Sequence, residues 1–189
     1  MENEIKEIIR EAVRIKEIIL KDNIKDIKLL ADEFVKTIKR GGKIILFGNG
    51  GSAADAQHIA CELVGRFKRE RKGLPAIALT TNTSVLTSIA NDYSFSNIFS
   101  RQLEALGNKG DIAVGISTSG KAENVIEGLK KARELGLTTV AFTGEAGDNL
   151  KNLSDICLQV PSRETPRIQE VHILIGHIIC GLVEKELML

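Results

Sequence analysis

The sequence predicts an α/β fold, a three-layer α/β/α sandwich around a mostly parallel sheet, preceded by N-terminal helices. Three observations lead there. Five short, nearly unbroken apolar runs, Lys43 to Phe47, Ala76 to Leu79, Ile112 to Ile116, Thr138 to Phe142 and Ile156 to Val160, recur along the chain. Helical segments separate most of them, and continuous apolar runs are what parallel strands covered on both faces require. The chain has 189 residues, 43% of them hydrophobic, enough for one full core and too few for two ordinary ones. A single domain over residues 1–189 is therefore expected.

From the start of the chain, Ile5, Ile8, Ile9, Ala12, Ile15, Ile18 and Ile19 recur at three- and four-residue steps and form one stripe of an amphipathic helix. A second helix follows, with Ile27, Leu30, Phe34, Val35 and Ile38 as its apolar positions and Gly41-Gly42 as its stop. Residues 1–40 thus form the N-terminal helices. The first strand then leads through a Gly-rich turn into a helix from about Ser52 to Phe67, and the Ala76 run completes a β-α-β unit. The pattern repeats from Ile112 through a Ser/Thr/Gly turn, a helix over Ala122 to Leu135 and the Thr138 strand. A final strand at Ile156 precedes a C-terminal helix from about Pro166 to Lys185.

Composition removes several function classes. Lys plus Arg number 26 against 25 for Asp plus Glu, which gives no net basic field for nucleic acid. The local run Lys68, Arg69, Arg71 and Lys72 is interrupted by Glu70 and reads as a solvated loop. Met1 to Leu20 mixes Glu and Lys among its apolar residues, so it is neither a signal peptide nor a bilayer span; no membrane partner and a cytoplasmic location are expected. Cys61, Cys157 and Cys180 are odd in number and form no C-x-x-C pair. They fit a reducing compartment and are read as buried small side chains.

Ligands of such sheets bind outside the carboxyl ends of the strands, so the turns after Phe47 and Ile116 are where chemistry is expected. The first reads Gly48-Asn49-Gly50-Gly51-Ser52. Gly48, Gly50 and Ala53 satisfy the weak form of the dinucleotide fingerprint, but the next strand ends Leu79-Thr80-Thr81-Asn82, without the acid that would hold a ribose. The second turn, Ser117-Thr118-Ser119-Gly120, sets three hydroxyls beside backbone donors; such a loop suits a phosphate monoester, or its hydroxyls simply cap the following helix. His58 and Glu62 stand at i and i+4 on one helix face. In the last helix Gln169 and His177 lie about 80° apart around the axis and roughly 12 Å along it, a long reach for two ligands of one ion. His172 and His177 project from different faces, and spacing alone does not choose between them.

These residues, with Asp55-Ala56-Gln57-His58, Ala90-Asn91-Asp92, Gly115-Ile116 and Arg167-Ile168-Gln169-Glu170, make the chain similar over essentially its whole length to the phosphoheptose isomerases of the SIS domain family. The resemblance implies a homotetramer whose helices bundle, with residues 1–40 contributing, and active sites built from more than one subunit. It implies interconversion of sedoheptulose 7-phosphate and D-glycero-D-manno-heptose 7-phosphate through an enediol, with Glu62 as general base and His177 as general acid. His58, Glu62, Gln169 and His177 match the ligands of one zinc ion per subunit. Ser117, Thr118 and Ser119 match the phosphate site. Asn49, Gly50, Gly51, Ser52, Arg66, Asn91, Asp92 and Gln169 match positions that touch the substrate. Two departures stand out. Lys121-Ala122 follows Gly120 where many members carry a further Ser, and Pro166 stands where some carry an acid.

The chemistry is coherent from below. Moving a proton between adjacent sugar carbons needs a base over C1/C2 and an acid beside the neighbouring oxygen, roles a carboxylate and an imidazole fill. Two alternatives share the fold: an isomerase for another sugar phosphate, and a non-enzymatic regulator that associates with a replication initiator, which the stretch Leu74 to Leu79 also resembles. The regulators lack the acid/base pair, so Glu62 and His177 separate the readings.

Overall fold

The computed structural model describes residues 1–187; Met188 and Leu189, the end of the expected domain, lie outside them. Two helices, α1 (Glu2–Asp22) and α2 (Ile24–Lys39), lead into β1 (Ile44–Gly48). Gly41, at φ +83°, supplies the left-handed residue that ends α2. Then come α3 (Gly51–Val64), β2 (Ala76–Ala78), α4 (Thr83–Asp92), a 3-10 turn (Phe95–Asn97) and α5 (Ser100–Leu106). The rest of the chain forms β3 (Ile112–Ser117), α6 (Glu123–Glu134), β4 (Thr138–Gly144), α7 (Asp148–Leu153), β5 (Ile156–Val160) and α8 (Thr165–Leu187).

The five strands are all parallel and run in the order β2-β1-β3-β4-β5. Alternate side chains divide the core. Ile44, Leu46, Ile112, Val114, Val140 and Phe142 pack with α1, α2, α3 and α8 on one face. On the other, Ile45, Phe47, Ala113 and Ala141 pack with α4, α5, α6 and α7, giving the expected three layers. Phe47 and Phe99 meet there with ring centroids 5.1 Å apart. The chain leaves β1 for one edge and β3 for the other, so the carboxyl ends of these neighbouring strands form the crevice where ligands of such sheets bind. The register pairs Gly48 with Ile116 and sets the two candidate turns side by side.

Several expectations need correction. Only β1 and β3 are buried throughout; the edge strands β2 and β5 have partly exposed positions, as sheet edges do. Cys61 is exposed and Cys157 half-buried, because α3 turns Cys61 outward and β5 is an edge; Cys180 alone is buried. The basic run after α3 is not wholly solvated, since the Arg71 side chain is only 6% exposed and pairs with Glu184. The stripe on α1 divides: Ile15 and Ile19 are buried, whereas Ile5, Ile8 and Ile9 remain about half exposed. Among the described residues no helix is long and apolar enough to cross a membrane.

Candidate active site

Two turns shape the crevice. Gly50, at φ +55°, lets the chain leave β1 and enter α3 within two residues. Gly48 must lack a side chain, since a Cβ there would lie 2.8 Å from the Ile116 carbonyl oxygen. Asn49 exchanges amide hydrogen bonds of 2.8 and 2.9 Å with Asn124 in the first turn of α6, which ties the two strand–helix turns together. The cleft they frame is about 340 Å³ and is lined by Asn49, Gly50, Gly51, Ser52, Ser117, Thr118, Ser119 and Gln169, together with Ala122 and Thr165. A larger groove of about 580 Å³ lies between α4 and α5, away from both turns.

The hydroxyl loop is not a helix cap. Helix α6 begins after Ala122 with no side-chain hydrogen bond at its N-cap, and Ser119 Oγ accepts instead from the Lys121 N–H at 3.2 Å. Helix α3 likewise starts without a side-chain cap; the Ser52 and Ala53 N–H groups turn back to the Asn49 and Gly50 carbonyls, and the positive end of the helix dipole meets the cleft at Gly50 and Gly51. Where a dinucleotide fold would carry its ribose-binding acid, Asn82 accepts from the Val85 N–H and caps α4. Pro166 occupies the first turn of α8, a position proline favours.

The long helices α3 and α8 lie side by side and run in the same direction. At their N-terminal ends a Cβ on Gly51 would collide with the Gln169 amide. Further along, a Cβ on Gly176 would lie 2.7 Å from the Ile59 side chain, so glycine permits a close approach. That approach brings His177 to His58. Their Nε2 atoms are 3.2 Å apart, and His58 Nε2 is 3.1 Å from Glu62 Oε1. Phe67 stacks on the His177 ring at a centroid distance of 5.7 Å. One ligand atom from each of His58, Glu62 and His177 lies within 4.8 Å of the other two.

Three lone-pair groups converging on one point suit a cation. Tetrahedral zinc with bonds of ~2.0–2.1 Å separates neighbouring ligands by about 3.3 Å, close to both observed distances. The donor set of two imidazoles and one carboxylate also matches zinc chemistry. Gln169, the fourth expected ligand, has its amide against Gly51 at the mouth of the seam. Arg66 is exposed, 3.9 Å from Glu70, and the Asn91 amide donates to Asp92 at the end of α4. None of Arg66, Asn91 and Asp92 lines the cleft of the single chain.

Packing separates the two histidines that spacing left open. His172 is wholly buried, 3.3 Å from the Thr143 carbonyl through Nε2, so Nε2 carries the proton. Burial pushes its pKa down to about 4, against the opposing effect of that hydrogen bond. The unfolded chain takes up this proton below about 6.5, while the folded chain resists it until about 4. Stability is therefore expected to rise with pH across that window by ~3 kcal/mol. Urea unfolding of His172→Leu and the parent, both followed from pH 4 to 7, checks this: the variant should lose that much of the slope, and an unchanged slope would refute it.

Sequence reasoning named Asp55, one turn before His58, only as part of a matching run and gave it no role. Its Oδ2 is buried without a partner, and burial raises its pKa to about 6 although His58 pulls the other way. It also missed Asn124 and Phe67, whose partners lie far away in the chain.

A SIS domain family model matches residues 7–144. A phosphoheptose isomerase from Clostridium acetobutylicum is 55% identical over 99% of this chain and 96% of its own length. Two solved phosphoheptose isomerases superpose closely. The Neisseria gonorrhoeae structure is 41% identical at a TM-score of 0.92, over 97% of this chain and 98% of its own. The Francisella tularensis structure is 36% identical at 0.94, over 97% of each chain. With this similarity running through both turns and the α3–α8 seam, the chain belongs to the phosphoheptose isomerase family of SIS domains.

Proposed function

We propose that this chain is an aldose–ketose isomerase converting sedoheptulose 7-phosphate to D-glycero-D-manno-heptose 7-phosphate, the first step towards nucleotide-activated heptose and lipopolysaccharide heptose. The observation that carries the reading is the meeting of Glu62, His58 and His177 on the α3–α8 seam. The family relationship supplies the substrate class.

The hydroxyls of Ser117, Thr118 and Ser119 receive the phosphate, helped by the uncapped N-terminus of α3. Asn49, Gly50, Gly51, Ser52 and Gln169 hold the sugar hydroxyls, and Arg66, Asn91 and Asp92 act from a neighbouring subunit. Glu62 takes the proton from the carbon next to the carbonyl, and His177 gives a proton to the carbonyl oxygen to form the enediol. Returning the protons to the opposite positions completes the exchange. His58, Glu62 and His177, with Gln169, would hold one zinc ion, which when bound polarises the substrate oxygens and stabilises negative charge on them. The site keeps the acid/base pair that the regulator reading requires to be absent.

The active form in this reading is a cytoplasmic homotetramer of one SIS domain per chain, spanning 1–189. The half-exposed Ile5, Ile8 and Ile9 of α1 supply the apolar surface that subunit packing would cover. The test is turnover of sedoheptulose 7-phosphate beside fructose 6-phosphate and ribulose 5-phosphate, with and without zinc, on a preparation whose mass is fixed by light scattering. The heptulose should be the preferred substrate and the mass four times 20.6 kDa. Preference for a shorter sugar overturns the substrate, and a fully active monomer overturns the shared site.

A further inference from the structure

Beyond the seam lies a second buried unit, built from Arg71 and Glu184. The Glu184 carboxylate accepts from the backbone N–H groups of Phe67, Lys68 and Arg69 at 3.2, 2.9 and 3.0 Å. It also accepts from Arg71 Nε at 3.2 Å, with the two side chains 3% and 6% exposed. Burial alone raises the Glu184 pKa, but the three N–H groups and Arg71 outweigh it and hold it below the ordinary carboxylate value. Arg71 in turn donates to the carbonyls that end α3: Nη2 to Glu62 at 2.8 Å, and Nη1 to Leu63 and Gly65 at 2.8 and 3.2 Å. These are the carbonyls a helix leaves without partners, at the end of its dipole where a cation is favoured.

The unit grips both halves of the site. On α3 it holds the backbone of Glu62, whose carboxylate belongs to the convergent trio. On α8, Glu184 stands seven residues after His177, two turns on along the same face. Through the Phe67 N–H it also fixes the ring that stacks on His177. The Gly176–Ile59 contact sets how near the two helices approach. Apolar contacts of that kind resist separation more than sliding, whereas a charged fork bound at several points fixes the slide. A shift of one helix by a fraction of a turn would part His177 from His58 and Glu62.

We infer that Arg71 and Glu184 are positioning residues: their buried pair sets the axial register of α3 against α8 and so holds His58, Glu62 and His177 at metal-binding and catalytic distance. The inference rests on the metal and isomerase reading given above. Replacing partners that orient direct ligands costs roughly 10–100-fold in metal affinity or activity. Glu184→Gln removes the charge and, whichever way the amide turns, sets its NH₂ against two donors, either the Phe67 N–H with Arg71 Nε or the Lys68 and Arg69 N–H groups. Arg71→Lys keeps a charge for Glu184 but cannot span the α3 carbonyls, a loss of geometry and not of sign.

The test titrates cobalt(II) into the metal-stripped full-length chain, follows its visible absorption, and measures kcat and KM of the zinc-loaded protein. Glu184→Gln should weaken cobalt binding by ~10–100-fold and lower kcat similarly, with KM within about twofold. Arg71→Lys should do the same to a smaller extent. Asp111→Asn is the stability control. It breaks the Lys43–Asp111 pair at the opposite end of β3, where it touches none of the trio. It should lower the melting temperature without moving cobalt affinity or kcat. If the parent takes up no cobalt, the metal reading fails and this inference with it. If the parent binds cobalt and both variants match it, or change only as the control does, the inference alone falls. Failure of both variants to fold would make the pair an element of the fold only, which also overturns it.

Discussion

Glu62→Gln is expected to bind the sugar phosphate and to isomerise it ~10²–10⁴-fold more slowly, the usual worth of a positioned general base. The substitution keeps the length and planarity of the side chain, so the α3–α8 seam stays packed. What it removes is the one carboxylate among the three convergent groups. In deuterated water the parent should place deuterium on the carbon that gains a proton, to the extent that the base exchanges with solvent, and the variant should not. Because Glu62 also belongs to the candidate metal group, zinc content must be measured on the same sample. Slow turnover with zinc retained isolates the base, while slow turnover with zinc lost assigns the defect to the metal. A folded Glu62→Gln protein with near-normal turnover and labelling would show that another group abstracts the proton.

The prominence of Glu62 illustrates what was legible before the fold was known. The i, i+4 spacing of His58 and Glu62 put both on one face, and the structure joins them at 3.1 Å. The turns after β1 and β3 announced themselves through Gly, Ser and Thr between apolar runs, and parallel pairing then set them side by side. The choice between His172 and His177 was not legible. Spacing gives the angle between two residues of a helix but not which of them meets the sheet. On α8, buried around much of its girth, the apolar pattern offers little guide. Helix α4 was missed for a different reason. Its run Thr83–Asp92 is rich in Ser and Thr, which favour helices weakly, although Asn82 supplied a cap signal that could have been read. The Asn49–Asn124 and Arg71–Glu184 pairs lie 75 and 113 residues apart, so no local pattern carries them.

His58→Ala is expected to lose most of the zinc that the parent retains, and with it most of the turnover. The imidazole stands between the other two groups, 3.1 Å from Glu62 and 3.2 Å from His177, so its removal takes out the member that touches both. A direct ligand should matter more than the ~10–100-fold that outer partners are worth. Leaving Glu62, His177 and Gln169 gives three donors at most, and Gln169 is a weak one because its amide oxygen is uncharged. The alanine also relieves no strain and creates no sealed cavity, since the His58 side chain is 48% exposed, so the melting temperature of the metal-free protein should change little. Elemental analysis after extensive dialysis reads the occupancy, and activity at rising zinc concentration reads the affinity. Partial recovery at high zinc would show a weakened site whose base and acid remain in place. Zinc content equal to the parent's would move the metal elsewhere on the chain and leave Glu62 and His177 to act as a metal-free acid/base pair.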